Sequence, residues 1–166
     1  MKFDVIIIGG GRSGMAKAVS LQKEGRSCAV ICKGRSLYGF EPEEFISLGG
    51  RLLMDEVVSS DVEAGAVKSV RTLNLGPDVE LCADTFYLAT GKFLSGGLKS
   101  DMEKVYEPLF GLDVQYDADC EKWSDPDFAA MQPFMSFGVK VDESGCALKG
   151  GEKIVNLFPI GEVLAK

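Results

Sequence analysis

A run of branched hydrocarbon that ends on glycine dictates how this chain must begin to fold. Val5-Ile6-Ile7-Ile8 is followed without a break by Gly9-Gly10-Gly11 and then by Arg12-Ser13-Gly14. From Phe3 to Ile8 there is no clean polar alternation, so the run suits a strand covered on both faces, as in a parallel sheet. From Ser13 to Glu24 the residues Met15, Ala18, Val19 and Leu21 recur at near-helical spacing, and Gly25 stands where a helix C-cap belongs. Cys28 to Cys32 (CAVIC) is a second apolar strand. Strand, glycine turn, helix and strand make the right-handed crossover unit of a parallel sheet.

In that setting the spacing G-x-G-x-x-G at Gly9, Gly11 and Gly14 has a mechanical meaning. The first glycine permits the tight turn, the second lets a pyrophosphate approach the backbone, and the third permits close packing of helix on strand. The helix N-terminus adds unpaired N–H groups and a partial positive charge. A dinucleotide site of this kind usually ends its second strand with Asp or Glu, which holds ribose hydroxyls. Here Cys32 is followed by Lys33, Gly34 and Arg35. Two cations there suit a phosphate, or they are solvated surface charges, and both readings stay open.

Further along, Glu41 to Leu48 suits a two-turn helix and Arg51 to Val58 a third strand. Val67 to Leu73 and Val79 to Cys82 read as strands of a small antiparallel meander, divided by the turn signal Gly76-Pro77. Thr85 to Ala89, ended by Thr90-Gly91, is another strand, and Val155 to Ile160 runs apolar into Gly161-Glu162. Phe137 to Val141 is a further short strand candidate. Between Lys99 and Asp127 the text turns polar, and the acids Asp113, Asp117, Asp119, Glu121, Asp125 and Asp127 read as a solvated face. The expected class is α/β: a Rossmann-like FAD/NAD(P)-binding domain, with a parallel sheet and a small antiparallel meander, spanning 1–166.

Composition sets the chemical limits. The chain has 166 residues and no histidine, so neither a Ser-His-Asp nor a Cys-His machine can be assembled within it. Any redox chemistry must come from a cofactor. A net charge of −7 disfavours nucleic acid as a partner. Five cysteines without a CxxC pair disfavour a disulfide framework, structural zinc and an iron–sulfur cluster, so no metal is expected and the thiols read as reduced and mostly buried. The Val5–Ile8 run is too short for a signal or membrane segment, and the chain reads as cytoplasmic.

Four segments carry a more specific signal together: VIIIGGGRSG at Val5–Gly14, LATGKFLSGGL at Leu88–Leu98, EPLFGLDV at Glu107–Val114 and NLFPIGEVL at Asn156–Leu164. With QPFMSFGVKVDE at Gln132–Glu143, they resemble the B subunits of anaerobic glycerol-3-phosphate dehydrogenases, within the two-dinucleotide-binding-domain flavoproteins. The resemblance implies a flavin domain of glutathione-reductase type. Gly9, Gly11, Ser13 and Gly14 would then face the pyrophosphate, and Thr90-Gly91 would form a strand-ending turn near the cofactor. Gly161-Glu162 would match a Gly-Asp pair whose acid meets ribityl or ribose hydroxyls, with Glu162 where the wider group commonly has Asp. FAD is the expected flavin because pyrophosphate is what the glycine loop suits; FMN, usual for this subunit in the family, is the alternative.

The same resemblance implies oxidation of glycerol 3-phosphate to dihydroxyacetone phosphate, with electrons passed towards membrane quinone. It also implies a catalytic partner subunit and a membrane-anchoring iron–sulfur subunit, which would hold the chain at the inner face of the cell membrane. Two other readings stand beside it: a non-catalytic electron-relay or structural subunit that binds flavin, and a generic FAD- or NADP-dependent reductase favoured by Lys33 and Arg35. No residue is identified as a catalytic base. Members of the family are much longer, with an additional segment where only Gly34 to Gly50 stands here and a glycine-rich helix beyond the place of Lys166. A substrate domain and that helix are therefore expected to be missing.

Overall fold

In the computed structural model, which describes residues 1–34 and 41–166, the opening crossover consists of β1 (Lys2–Ile8), α1 (Arg12–Lys23) and β2 (Cys28–Cys32). A short helix α2 (Glu43–Ser47) and β3 (Arg51–Met54) follow, then β4 (Val57–Glu63), β5 (Ala66–Thr72) and β6 (Cys82–Leu88). The central sheet has five strands in the order Leu157–Pro159, β6, β1, β2, β3, all parallel. β4 and β5 pair antiparallel outside it. Arg35 lies outside the described residues.

Alternation along β1 sends neighbouring side chains into two separate cores, which is why the run had to be apolar throughout. Val5 and Ile7 pack with Met15, Ala18 and Leu21 of α1 and with Phe45 of α2. Ile6 and Ile8 face the other way, towards Phe86, Leu88, Val67, Val70 and Leu157. Burying an aliphatic chain of this size contributes about 1.5–3 kcal/mol, so the two-sided strand is the structural axis of the molecule.

The expected third strand, Arg51 to Val58, is in fact two. The break falls at Asp55, whose buried carboxylate accepts hydrogen bonds from the backbone N–H of Glu56 (2.8 Å) and from the side-chain amide of Asn74 (2.8 Å). Burial alone would raise its pKa, but these donors outweigh it and hold the group below the ordinary 3.8. After this turn Val57–Glu63 leaves the sheet as a strand of its own. The second meander strand, expected over Val79 to Cys82, shrinks to a single bridge between Val70 and Leu81, because β6 already begins pairing with β1 at Cys82. Phe137 to Val141 reduces to Gly138–Val139, paired with Val114–Gln115.

Of the acids read as a solvated face, Asp113 departs from expectation. Its two carboxylate oxygens accept the N–H groups of Gly150 and Gly151, both at 2.8 Å, so it closes a loop of the fold. All five cysteines are free; Cys28, Cys32 and Cys146 are buried and Cys120 is exposed.

Asn156 ties the meander to the sheet. Its side chain accepts from the N–H of Val67 (2.8 Å) and donates to the carbonyl of the same residue (2.9 Å). Asn156→Ala leaves both groups of buried Val67 without partners and is expected to cost about 1–3 kcal/mol. Denaturant unfolding and amide exchange at Val67 check this; unchanged protection at Val67 would show that the tie is idle.

Candidate cofactor site

Four backbone hydrogen bonds lock the carboxyl ends of the sheet strands together. Gly9 N–H donates to Ile31 (2.8 Å), Ala89 N–H to Ile8 (2.7 Å) and Ile160 N–H to Leu88 (2.9 Å), while Asp55 N–H donates to Cys32 (2.9 Å). At this edge the chain turns out of β1, β6 and Leu157–Pro159 on glycine, at Gly9, Gly91 and Gly161, all with positive φ. Open α/β sheets bind ligands at this end.

Gly9 has φ +113°, and a Cβ there would lie 2.2 Å from the carbonyl oxygen of Ala89. One turn on, a Cβ at Gly14 would lie 2.0 Å from the carbonyl oxygen of Gly9. Bare backbone at these positions is therefore a requirement of packing. Gly11 is the N-cap of α1 in extended conformation, without any side-chain cap, and the first turn carries no acid. The leading N–H groups and the positive end of the helix are thus left for an external anion. Ser13 is exposed on that turn.

Gly161, from the far end of the chain, closes on the same spot: a Cβ there would sit 2.4 Å from Ser13 Oγ. The sequence-predicted residues Gly9, Gly11, Ser13, Gly14 and Gly161 therefore meet at one place. Thr90 and Gly91 leave β6 beside them, since Ala89, which touches Gly9, also stands 3.2 Å from the Cβ position of Gly14. Gly97 packs on Gly91, Ser95 Oγ donates to the Thr90 carbonyl (2.6 Å), and the buried Thr90 hydroxyl oxygen has no hydrogen-bond partner. An orphaned hydroxyl of this kind is a polar group waiting for a ligand atom or water.

Two predicted residues are placed differently from the rest. Lys33, exposed at the end of β2, forms an ion pair with Glu56, the residue after Asp55. Glu56 stands just past the end of β3, so the lysine charge is already matched. Glu162 is exposed and pairs with Lys166 at 3.0 Å. Lys92 turns inward instead: its ammonium donates to the carbonyls of Met135 and Phe137, and burial lowers its pKa. Sequence reasoning missed Ala89 and Glu56, which carry no local pattern that marks them.

A family model described as FAD binding domain matches this chain over residues 4–40 and 35–166. The chain belongs to the FAD binding domain family. FAD is the flavin of that family, and the residues fit it: the uncapped N-terminus of α1, with Ser13 and Gly161 beside it, leaves its leading N–H groups for a pyrophosphate.

Among curated relatives of this FAD binding domain, the B subunit of the anaerobic glycerol-3-phosphate dehydrogenase of Vibrio vulnificus (strain YJ016) is 38% identical over 139 residues, covering 78% of this chain and 32% of its own. The protein of the same name from Aliivibrio fischeri (strain MJ11) is 38% identical over 156 residues, covering 83% and 34%. The chain spans about a third of the length of these relatives. Among solved structures, the flavin-dependent brominase Bmp2 aligns with 55% of this chain and 39% of its own at TM-score 0.48 and 12% identity. Among the described residues, no helix is long and apolar enough to cross a membrane.

Proposed function

We propose that this chain is the flavin-holding part of an oxidoreductase that takes glycerol 3-phosphate to dihydroxyacetone phosphate and passes the electrons towards membrane quinone. The observation that carries the reading is the meeting of Ser13 and Gly161 at the uncapped start of α1, where pyrophosphate binding needs bare backbone. Its substrate and quinone link come from the names and family of its relatives. Bound FAD supplies the two-electron acceptor that no side chain of this protein offers.

The protein's own residues bind and orient. The α1 N-terminus and Ser13 would hold the pyrophosphate, with the Thr90-Gly91 turn and Gly161 bordering it. Glu162 stands at the exit of the last strand, where its carboxylate can accept from flavin-side hydroxyls after exchanging its Lys166 partner. Thiol chemistry is not favoured at the buried cysteines, because burial raises Cys32 and Cys146 and pushes Cys28 up to about 11.

A second reading is favoured by one feature, the absence of histidine. A histidine base would have to come from outside these 166 residues, which leaves this part of the protein as an electron relay. In both readings a companion polypeptide, a catalytic or iron–sulfur subunit, brings the assembly to the inner membrane face. Protein purified without added cofactor is expected to release FAD on denaturation, identified by mass. Bleaching of the flavin by glycerol 3-phosphate in the isolated chain supports the dehydrogenase reading; bleaching only with companion subunits supports the relay. A colourless protein that takes up neither FAD nor FMN would defeat both.

A further inference from the structure

The two most exposed large hydrophobic side chains of the described residues stand on one stretch. Phe128 is 96% exposed and Met131 87%, with Phe134 and Met135 following in the next turn. Isolated apolar residues on a surface are ordinary, but this set is held in place. Gln132 staples the loop: its amide oxygen accepts from Asp125 N–H (2.9 Å) and its amide nitrogen donates to the Asp127 carbonyl (3.0 Å). Asp127 in turn accepts from Ala129 N–H (2.9 Å), and Phe134 N–H donates to the Trp123 carbonyl (3.0 Å).

Below the loop, the Phe134 ring meets Phe93 edge-on at 5.9 Å, and Lys92 bonds the carbonyls of Met135 and Phe137. Leu94, beside Phe93 and 81% exposed, extends the apolar surface. Fixing a loop so that Phe and Met point into water has no return within the monomer. It lowers the ordering cost of an association, and aromatic residues and Met are the types enriched where proteins meet.

The rim decides what associates. Asp117, Asp119, Glu121, Asp125 and Asp127 lead into the apolar stretch, and the sole cation among them, Lys122, is paired with Asp119 at 3.4 Å; at its far end Lys92 is bonded to the Met135 and Phe137 carbonyls and Lys166 is paired with Glu162. A second copy meeting this face through a two-fold axis would set these acids against themselves, and an anionic lipid surface is repelled in the same way. A polypeptide with an apolar stripe flanked by Lys or Arg meets both requirements. We propose that the Phe128–Met135 loop, with Leu94, is a docking surface for such a basic, amphipathic segment of a partner protein.

The test uses the whole 166-residue chain and a synthetic helical peptide with Leu on one face and Lys on the other. Trp123, the only tryptophan, packs on Tyr116 and Phe137 behind the loop and reports binding by its fluorescence. The Leu/Lys peptide is expected to bind and the equivalent Leu/Glu peptide not to. Phe128→Ser with Met131→Ser should weaken binding at least about tenfold, with near-ultraviolet circular dichroism unchanged, because both side chains are exposed. Raising salt to about 0.5 M should weaken it further through screening of the rim. Equal binding of both peptides, or binding indifferent to the double substitution, overturns the proposal. So does dimerisation, or flotation with phosphatidylcholine vesicles, that the double substitution abolishes, since each assigns the surface to a different occupant.

Discussion

Gly9→Ala is expected to lower the stability of this protein by roughly 2–4 kcal/mol and to abolish flavin retention. Two independent effects converge on one atom. The backbone at Gly9 has φ +113°, which L side chains rarely adopt, and the added methyl would lie 2.2 Å from the Ala89 carbonyl oxygen. That carbonyl belongs to rigid backbone at the end of β6, so relief requires the ends of β1 and β6 to separate. Separation disturbs the Ala89-to-Ile8 hydrogen bond and moves the start of α1, where the pyrophosphate would bind. Gly25→Ala is the control, because Gly25 also has positive φ (+81°) but nothing lies within 4 Å of its Cβ position. It should cost only about 1 kcal/mol, the strain without the collision. Denaturant midpoints of the two variants, with bound FAD measured after gel filtration, decide the matter. Equal losses at the two positions would show that steric closure at Gly9 carries no weight.

The part of the fold that could be read from sequence is the part set by local chemistry. Val5 to Ile8 had to be covered on both faces because no polar residue interrupts it, and the glycines after it had to turn tightly. The two-sided core and the crossover follow from those facts. Gly161 was legible only through resemblance, since nothing near it in sequence reveals that it closes on Ser13. The split at Asp55 was hidden because its cause, the Asn74 amide, lies 19 residues on. Lys33 shows the same limit: its ion-pair partner Glu56 belongs to another strand exit, so the choice between phosphate ligand and solvated cation could not be made from the β2 segment alone. Asp113, inside an acidic run, differs from its neighbours only by the distant glycines it bonds.

Glu107 offers the second large effect, because it is a carboxylate almost wholly inside the protein, 2% exposed. Its two oxygens accept the N–H groups of Leu109 (2.9 Å) and Phe110 (2.8 Å) and so fix the tight segment that carries Phe110 and Leu112 into the core. Glu107→Ala strands both donors and is expected to cost about 2–5 kcal/mol. Glu107→Gln should cost less, since its amide oxygen still serves one donor while its NH2 group opposes the other. Burial raises the Glu107 pKa above the ordinary 4.5, although the backbone donors pull in the opposite direction. The folded state therefore holds this proton more tightly than the unfolded chain, and the resulting stabilisation is full below 4.5 and lost as pH rises through the raised value. Asp55, lowered from 3.8, acts in a different window and with the opposite sign: its contribution disappears as pH falls below 3.8. Unfolding free energies of the natural protein and of Glu107→Gln, measured from about pH 4 to pH 7, should accordingly differ in slope above 4.5, with the natural protein losing ground to the variant as pH rises. Parallel curves across that range would mean that Glu107 gains no proton affinity on folding, and that its bonds to Leu109 and Phe110 offset the whole of its burial.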